Sequence, residues 1–267
     1  MLKTARSILN HAVAEARQLA THPLVSIGNI PTLAFGLFKT FTVGMSVNAF
    51  LEDHPQWEDS KRGEYLWKEA GFKWGGAILQ RAGITVRVID QYGVDWSQYY
   101  VVAMNHTSAI DAMIAPRYIP SARIVAKSDA LKFPIIGKAI SQSYGAQIIV
   151  NRHNGSGMSS VREAMKDWTA CNVLFFVEGT RSLSGAMQPF KAGAFVLSRE
   201  LQRPILPVYV GGAHSVLPKG AFLALKRNQR VTVSFGRPIP PCESIDAQRD
   251  ATVRAMYEMT QYERAFR

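Results

Sequence analysis

Five consecutive apolar residues, Val173-Leu-Phe-Phe-Val177, stand between Asn172 and Glu178 with no polar residue among them. A strand with one wet face alternates apolar and polar side chains. An unbroken apolar run of this length is a strand covered on both faces, as in a parallel sheet flanked by helices. Other β-rich runs lie at Ile84–Ile89, Tyr99–Met104, Arg123–Ala126, Gln147–Val150, Ile205–Val210 and Val231–Phe235. Helical patterns fall between and after them: one from near Ser108, one from Phe190 to Leu201 and a long one from Ile245 to Arg267. Ser160-Val-Arg-Glu163 has capping-box spacing and predicts a helix through Trp168. The alternation predicts an α/β fold over residues 53–267, with a mostly parallel or mixed central sheet and helices on both faces.

The first 52 residues have a different character. Leu2, Ile8, Leu9, Val13, Ala16 and Leu19 share one side of a helix that carries Lys3, Arg6 and Arg17. Leu24 to Phe50 is then apolar and aromatic, interrupted by Pro31 and Lys39. A lysine in mid-span costs ~2.5–3.5 kcal/mol on insertion scales, so the pattern favours a hairpin in the bilayer interface over a crossing. The alternative is that both helices simply cover the α/β domain. The polar, acidic stretch from Leu51 to Ser60 marks a boundary between the two parts.

With 47% apolar and 19% charged residues, the chain has the composition of a globular protein rather than a disordered one. A net charge of +11 implies an anionic partner. No zinc-finger spacing, RNP-like strand or glycine clamp supports nucleic acid, which leaves an acidic membrane surface as the expected partner. Cys171 and Cys242 form neither a CxxC nor a Cys/His metal pattern, so two ordinary thiols in a reducing compartment, and no metal, are expected.

The polar residues that could do chemistry follow the strands. His106 comes just after the run ending at Met104, at the carboxyl end where α/β sheets place their sites. Asp111 lies five residues on; along one continuous helix that spacing sets side chains roughly 140° apart. The two can meet only if His106 precedes the helix and Asp111 occupies its first turn. Ser108-Ala-Ile-Asp111 also has capping-box spacing, so Asp111 can cap the helix, orient His106, or do both with its two oxygens. After Val177, the turn Glu178-Gly179-Thr180-Arg181 combines a glycine that lets backbone approach a ligand with a planar guanidinium suited to phosphate. Lys191 opens the next helical run and adds a second cation. Ser182 is not in a Gly-x-Ser-x-Gly elbow, and no cysteine lies near a histidine, so a base acting on a substrate hydroxyl is favoured over a protein nucleophile.

These segments resemble the motifs of the 1-acylglycerol-3-phosphate acyltransferase family, within the wider glycerolipid acyltransferases. The resembling stretches are Asn105-His106-x4-Asp111, Lys127-Ser-Asp-Ala-Leu with Pro134 and Gly137, Gly145 to Arg152, Glu178-Gly-Thr-Arg-Ser182 with Phe190-Lys-x-Gly193, and Ile205-Leu-Pro207-Val208. They come in family order over about residues 80–240. The resemblance implies a catalytic pair of His106 and Asp111, with Lys127, Arg152, Glu178, Gly179, Thr180, Arg181 and Lys191 at the acceptor and Pro207 towards the donor. It implies a lysophospholipid acceptor, an acyl-carrier-protein or coenzyme A thioester donor, and no cofactor or metal. It further implies an N-terminal two-helix anchor on the cytoplasmic face of the cell membrane. A different acceptor, such as a lyso-aminolipid, or a non-catalytic membrane protein of the same fold, are the alternatives. Val177 stands where many members have proline, and Ala109 where many have a large aromatic; the latter bears on acceptor fit.

Overall fold

The computed structural model describes residues 23–128, 147–150, 157–167, 169–219 and 225–264. Helix α1 (Pro23–Glu52) leads into α2 (Asp59–Glu69), a π-helical turn (Ala70–Gly76) and α3 (Ala77–Arg81). Then come β1 (Thr85–Asp90), β2 (Val101–Met104), α4 (Asp111–Tyr118), β3 (Ala122–Lys127) and β4 (Gln147–Val150). They are followed by α5 (Gly157–Asp167), β5 (Asn172–Phe176), α6 (Gly193–Leu201), β6 (Ile205–Gly211), α7 (Ala213–Val216), β7 (Arg230–Phe235) and α8 (Ile245–Arg264).

The strands form one seven-stranded sheet in the order β1-β7-β6-β2-β5-β3-β4. β6, β2, β5, β3 and β4 run parallel, and β7 pairs antiparallel with β6 and parallel with β1. The unbroken apolar run is β5, between β2 and β3. Its residues divide between the two faces. Leu174 joins Val102, Met104 and Leu206 in a core closed by Trp67 and Ile114, whereas Val173 and Phe175 join Val101, Ala103 and Ile205 under Val161, Phe195 and Met256. Both faces are covered, as the absence of alternation demands.

Several sequence boundaries are corrected. The helix after β2 begins at Asp111, not near Ser108, and that after β5 at Gly193, not Phe190. α5 starts at Gly157, so Ser160 lies inside its first turn and is no cap. The segment from Asp59 to Arg81, with no assignment from sequence, is helical. It packs on α4 so closely that a Cβ on Gly71 would stand 2.3 Å from Pro116 O, and one on Gly75 2.4 Å from Met113 O. The Trp67 indole donates to Ile119 O at 2.7 Å and secures the same contact.

α1 covers the expected apolar segment, and Phe50 at its end stacks on His54 and Tyr65 across the acidic boundary. No helix among the described residues is long and apolar enough to cross a membrane. The amphipathic helix expected before Pro23 lies outside the described residues. Cys171 is buried and Cys242 half-buried, both as free thiols.

Candidate active site

β5, β2 and β6 are adjacent and parallel, so their carboxyl ends deliver three loops to one place. Asn105 leaves β2 and acts as a strand mimic: its side chain donates to Val210 O at 3.0 Å and accepts from Val210 N at 2.7 Å. The chain then turns, which brings His106 back over Asp111 at the first turn of α4. His106 Nδ1 lies 2.9 Å from Asp111 Oδ2. Asp111 is fully buried, whereas the His106 side chain is 16% exposed. A carboxylate can only accept, so Nδ1 carries the proton, and in the neutral ring the lone pair is on Nε2.

The same Oδ2 accepts from Thr107 N at 2.8 Å and Ser108 N at 2.9 Å. Asp111 therefore caps the turn and orients His106 with one oxygen, not two. Oδ1 is buried without a hydrogen-bond partner among the described residues. The Phe176 ring stacks on the imidazole at 3.8 Å between centroids and 13° between planes. Phe176 is not recognisable from sequence as a site residue, because it reads only as part of a buried strand.

Glu178 joins the second loop to the first. Buried to 2% exposure, it accepts from His106 N through Oε1 and from Gln188 N through Oε2, each at 2.9 Å. Burial pushes its carboxyl above the usual glutamate range, against the pull of those two N–H groups. Both oxygens are engaged with backbone, so Glu178 shapes the loop rather than facing a ligand. Gly179 takes φ +70°, which closes the turn with its N–H on Phe176 O. Ser182 N donates to His106 O at 2.8 Å and seals the junction.

Thr180 and Arg181 emerge from this junction. Burial depresses the Arg181 guanidinium, and the nearby Asp111 charge partly offsets that. The Thr180 hydroxyl and Arg181 carbonyl accept from Lys219 Nζ at 3.2 and 3.0 Å. Lys219 follows β6 and α7 and belongs to no motif recognised in the sequence.

Lys191 is exposed, and its N–H donates to Val177 O at 2.7 Å. It stands at an apolar cavity of about 330 Å³ walled by Val125, Val150, Met158, Val161, Phe175 and Phe176. Pro207 is elsewhere: it is buried in β6 opposite Ala103, with its ring against Gly236, and is not among the residues lining that cavity. Lys127 ends β3, with its side chain outside the described residues, and Arg152 lies outside them altogether. No group of three or more His, Cys, Asp or Glu able to hold a metal occurs among the described residues.

The chain is similar to known proteins in sequence and in fold. Residues 85–211 match the acyltransferase family. A 1-acyl-sn-glycerol-3-phosphate acyltransferase of Limnanthes douglasii is 30% identical over 169 residues, covering 62% of this chain and 58% of that protein. The human 1-acyl-sn-glycerol-3-phosphate acyltransferase alpha is 33% identical over 129 residues, covering 47% and 45%. The chain thus spans about half the length of these relatives. The crystal structure of the 1-acyl-sn-glycerophosphate (LPA) acyltransferase PlsC from Thermotoga maritima superposes with a TM-score of 0.68 at 20% identity, over 88% of this chain and 97% of that one. That likeness concerns the fold. The matched span starts at β1 and ends with β6, and so contains His106, Asp111, Glu178 and Arg181; over that span the chain is similar to the acyltransferase family.

Proposed function

We propose that this protein transfers a fatty acyl group from a thioester to the free hydroxyl of 1-acylglycerol-3-phosphate, giving phosphatidic acid. The observation that carries the reading is the placement of His106. Its Nδ1 is held by Asp111 at 2.9 Å, and its ring is shared with the wall of the apolar cavity through Phe176. Arg181 supports the choice of an anionic acceptor, being a half-buried guanidinium with no carboxylate partner among the described residues.

In the proposed reaction, His106 Nε2 accepts the proton of the acceptor hydroxyl as its oxygen bonds to the thioester carbonyl carbon. Buried Asp111 stabilises the resulting imidazolium. Collapse of the tetrahedral intermediate breaks the carbon–sulfur bond, and the imidazolium proton leaves on the thiol. Atoms and charge balance with these groups alone. The apolar cavity beside Phe176 takes the acyl chain, and its size falls in the range of small-molecule sites, about 300–1,000 Å³. Acyl-carrier protein or coenzyme A serves as the carrier. The protein works at the cytoplasmic face of the cell membrane, where both lipids reside and where +11 of net charge favours an anionic surface.

The test is a radiolabelled acyl thioester offered with a panel of acceptors, using the wild type and His106→Ala. We expect product from 1-acylglycerol-3-phosphate and none from the variant, with circular dichroism unchanged. Equal turnover by the variant refutes the base. Preference for a lyso-aminolipid moves the acceptor assignment to that class.

A further inference from the structure

A second cation at the Thr180–Arg181 turn comes from a part of the chain that no motif covers. Lys219 leaves α7 and reaches over the turn between Glu178 and Ser182, where two of its three ammonium hydrogens go to Thr180 Oγ1 and Arg181 O. Its approach is held from the other side: Ser108, within the His106 loop, donates its hydroxyl to Leu217 O at 2.7 Å in a buried contact. The loops after β2, β5 and β6 are thereby stitched into one unit around His106, Arg181 and Lys219.

The Lys219 ammonium is thus held against the Arg181 backbone, within range of the Arg181 charge. Burial, and after it repulsion from the Arg181 charge, hold the Lys219 ammonium below the usual lysine range. Among the described residues neither cation is paired with a carboxylate, although Asp111 lies close enough to favour the Arg181 charge. Surface lysines normally relieve such repulsion by turning into water, because the side chain is long and flexible. Here two hydrogen bonds hold it in place. A half-buried pair of like charges, with Lys219 fixed by neutral acceptors and no carboxylate paired with either among the described residues, is the arrangement that a dianionic ligand would stabilise.

We infer that Lys219 is a substrate-binding residue, which with Arg181 grips the phosphate monoester of the acceptor. This inference rests on the function proposed above and adds a residue and a division of labour to it. Arg181 offers the planar fork and Lys219 a point charge with one free hydrogen, so the two together match a tetrahedral dianion better than either alone. The rival role is mechanical, with Lys219 serving only to clamp the Thr180–Arg181 turn.

Steady-state kinetics of the full-length protein in detergent micelles separate the two roles. The variants are Lys219→Met, which keeps the stem, Lys219→Gln, which keeps a hydrogen-bond donor, and Lys219→Arg, which keeps the charge. With 1-acylglycerol-3-phosphate as acceptor, three quantities are measured for each variant beside a melting curve: acceptor KM, thioester KM and the inhibition constant for inorganic phosphate. We expect Lys219→Met and Lys219→Gln to raise acceptor KM and the phosphate inhibition constant roughly tenfold or more, the scale of one charge-assisted hydrogen bond. Thioester KM should stay within about twofold, and Lys219→Arg should recover most of the loss. A fall in kcat with acceptor KM and phosphate inhibition unchanged would leave Lys219 as a clamp and overturn the inference. Should Lys219→Met fail to fold, Lys219→Gln and Lys219→Arg decide by the same readouts. If the wild type acylates only non-phosphorylated acceptors, the proposed function itself fails. If the wild type uses the phosphorylated acceptor and the variants bind it equally well, only the role of Lys219 fails.

Discussion

Asp111 Oδ2 accepts three hydrogen bonds, from His106 Nδ1, Thr107 N and Ser108 N, at 2.8–2.9 Å. A neutral amide cannot satisfy that position equally. Asp111→Asn can place its oxygen there, but it removes the charge that stabilises the imidazolium and frees His106 to adopt the other tautomer. We expect kcat to fall about a thousandfold or more, by analogy with the orienting carboxylate of a serine-protease triad. The melting temperature should drop far less than the rate; a rate within tenfold of wild type would rule out the orienting role. Phe176 acts on the same imidazole from its face. Phe176→Leu keeps the cavity wall but loses the stack, which is worth about 0.5–1.5 kcal/mol beyond area burial. That predicts a roughly two- to thirteenfold loss in kcat with little change in thioester KM. Phe176→Ala should in addition enlarge the cavity of about 330 Å³, shifting preference towards longer acyl chains in a competition assay. The meeting of His106 and Asp111 is legible in the sequence because it requires only a turn before a helix. The Glu178 link to His106 N, across 72 residues, is not: it depends on β5 lying beside β2 in the sheet.

Elements with a strong periodic signal are legible in the sequence, and those that rely on tertiary contacts are not. β4, β5, β6 and β7 stand within a residue of their expected bounds, because each is buried on both faces or bounded by clear turn residues. The capping-box spacing at Ser160 misleads because serine and glutamate spaced by three also occur inside a first turn. The helical stretch from Asp59 to Arg81 escapes a sequence assignment for a specific reason. Gly71, Gly75 and Gly76 read as breakers, yet Gly71 and Gly75 are there so that the π-helical turn can touch the backbone of α4. Their conformation is helical, so the restriction is space and not φ. Gly71→Ala would set a methyl 2.3 Å from Pro116 O, an atom of the backbone that cannot swing aside. We expect a loss of about 1–3 kcal/mol in urea denaturation. Gly93→Ala, at an exposed position with nothing within 4 Å, differs in kind and is strained by its φ of +63° alone. A Gly71→Ala protein as stable as wild type would contradict the close packing of α4 on this turn.

For the whole molecule, there is a tension between a core that folds around its sheet and a helix, α1, that leaves apolar side chains exposed. Ile30, Phe38 and Met45 on α1 are each more than half exposed, at 55%, 59% and 58%. At 100° per residue they fall within an arc of roughly 80°, a single face of the helix. The opposite side of α1 is occupied: Gly36 lies against Ile78 of α3, and Val43 is buried. Lys39, on the same helix, sits over the Phe35 ring at 5.8 Å, and elsewhere Arg117 sits over exposed Phe72 at 5.3 Å. A stripe of this kind, on a chain of net charge +11, suits a lipid interface, with apolar insertion and attraction to anionic headgroups acting together. The two contributions separate by experiment. Phe38→Ser with Met45→Ser removes insertion, and burial of such side chains is worth about 1.5–3 kcal/mol each, so flotation with vesicles should fall at least about tenfold. Raising salt should weaken binding of the wild type to anionic vesicles but hardly to zwitterionic ones, because only the headgroup attraction is screened. Turnover of a short-chain, water-soluble acceptor should survive the double substitution, since neither side chain belongs to the cluster around His106. Unchanged flotation would return α1 to the humbler role of covering the domain, and loss of soluble turnover would show that its packing supports the site.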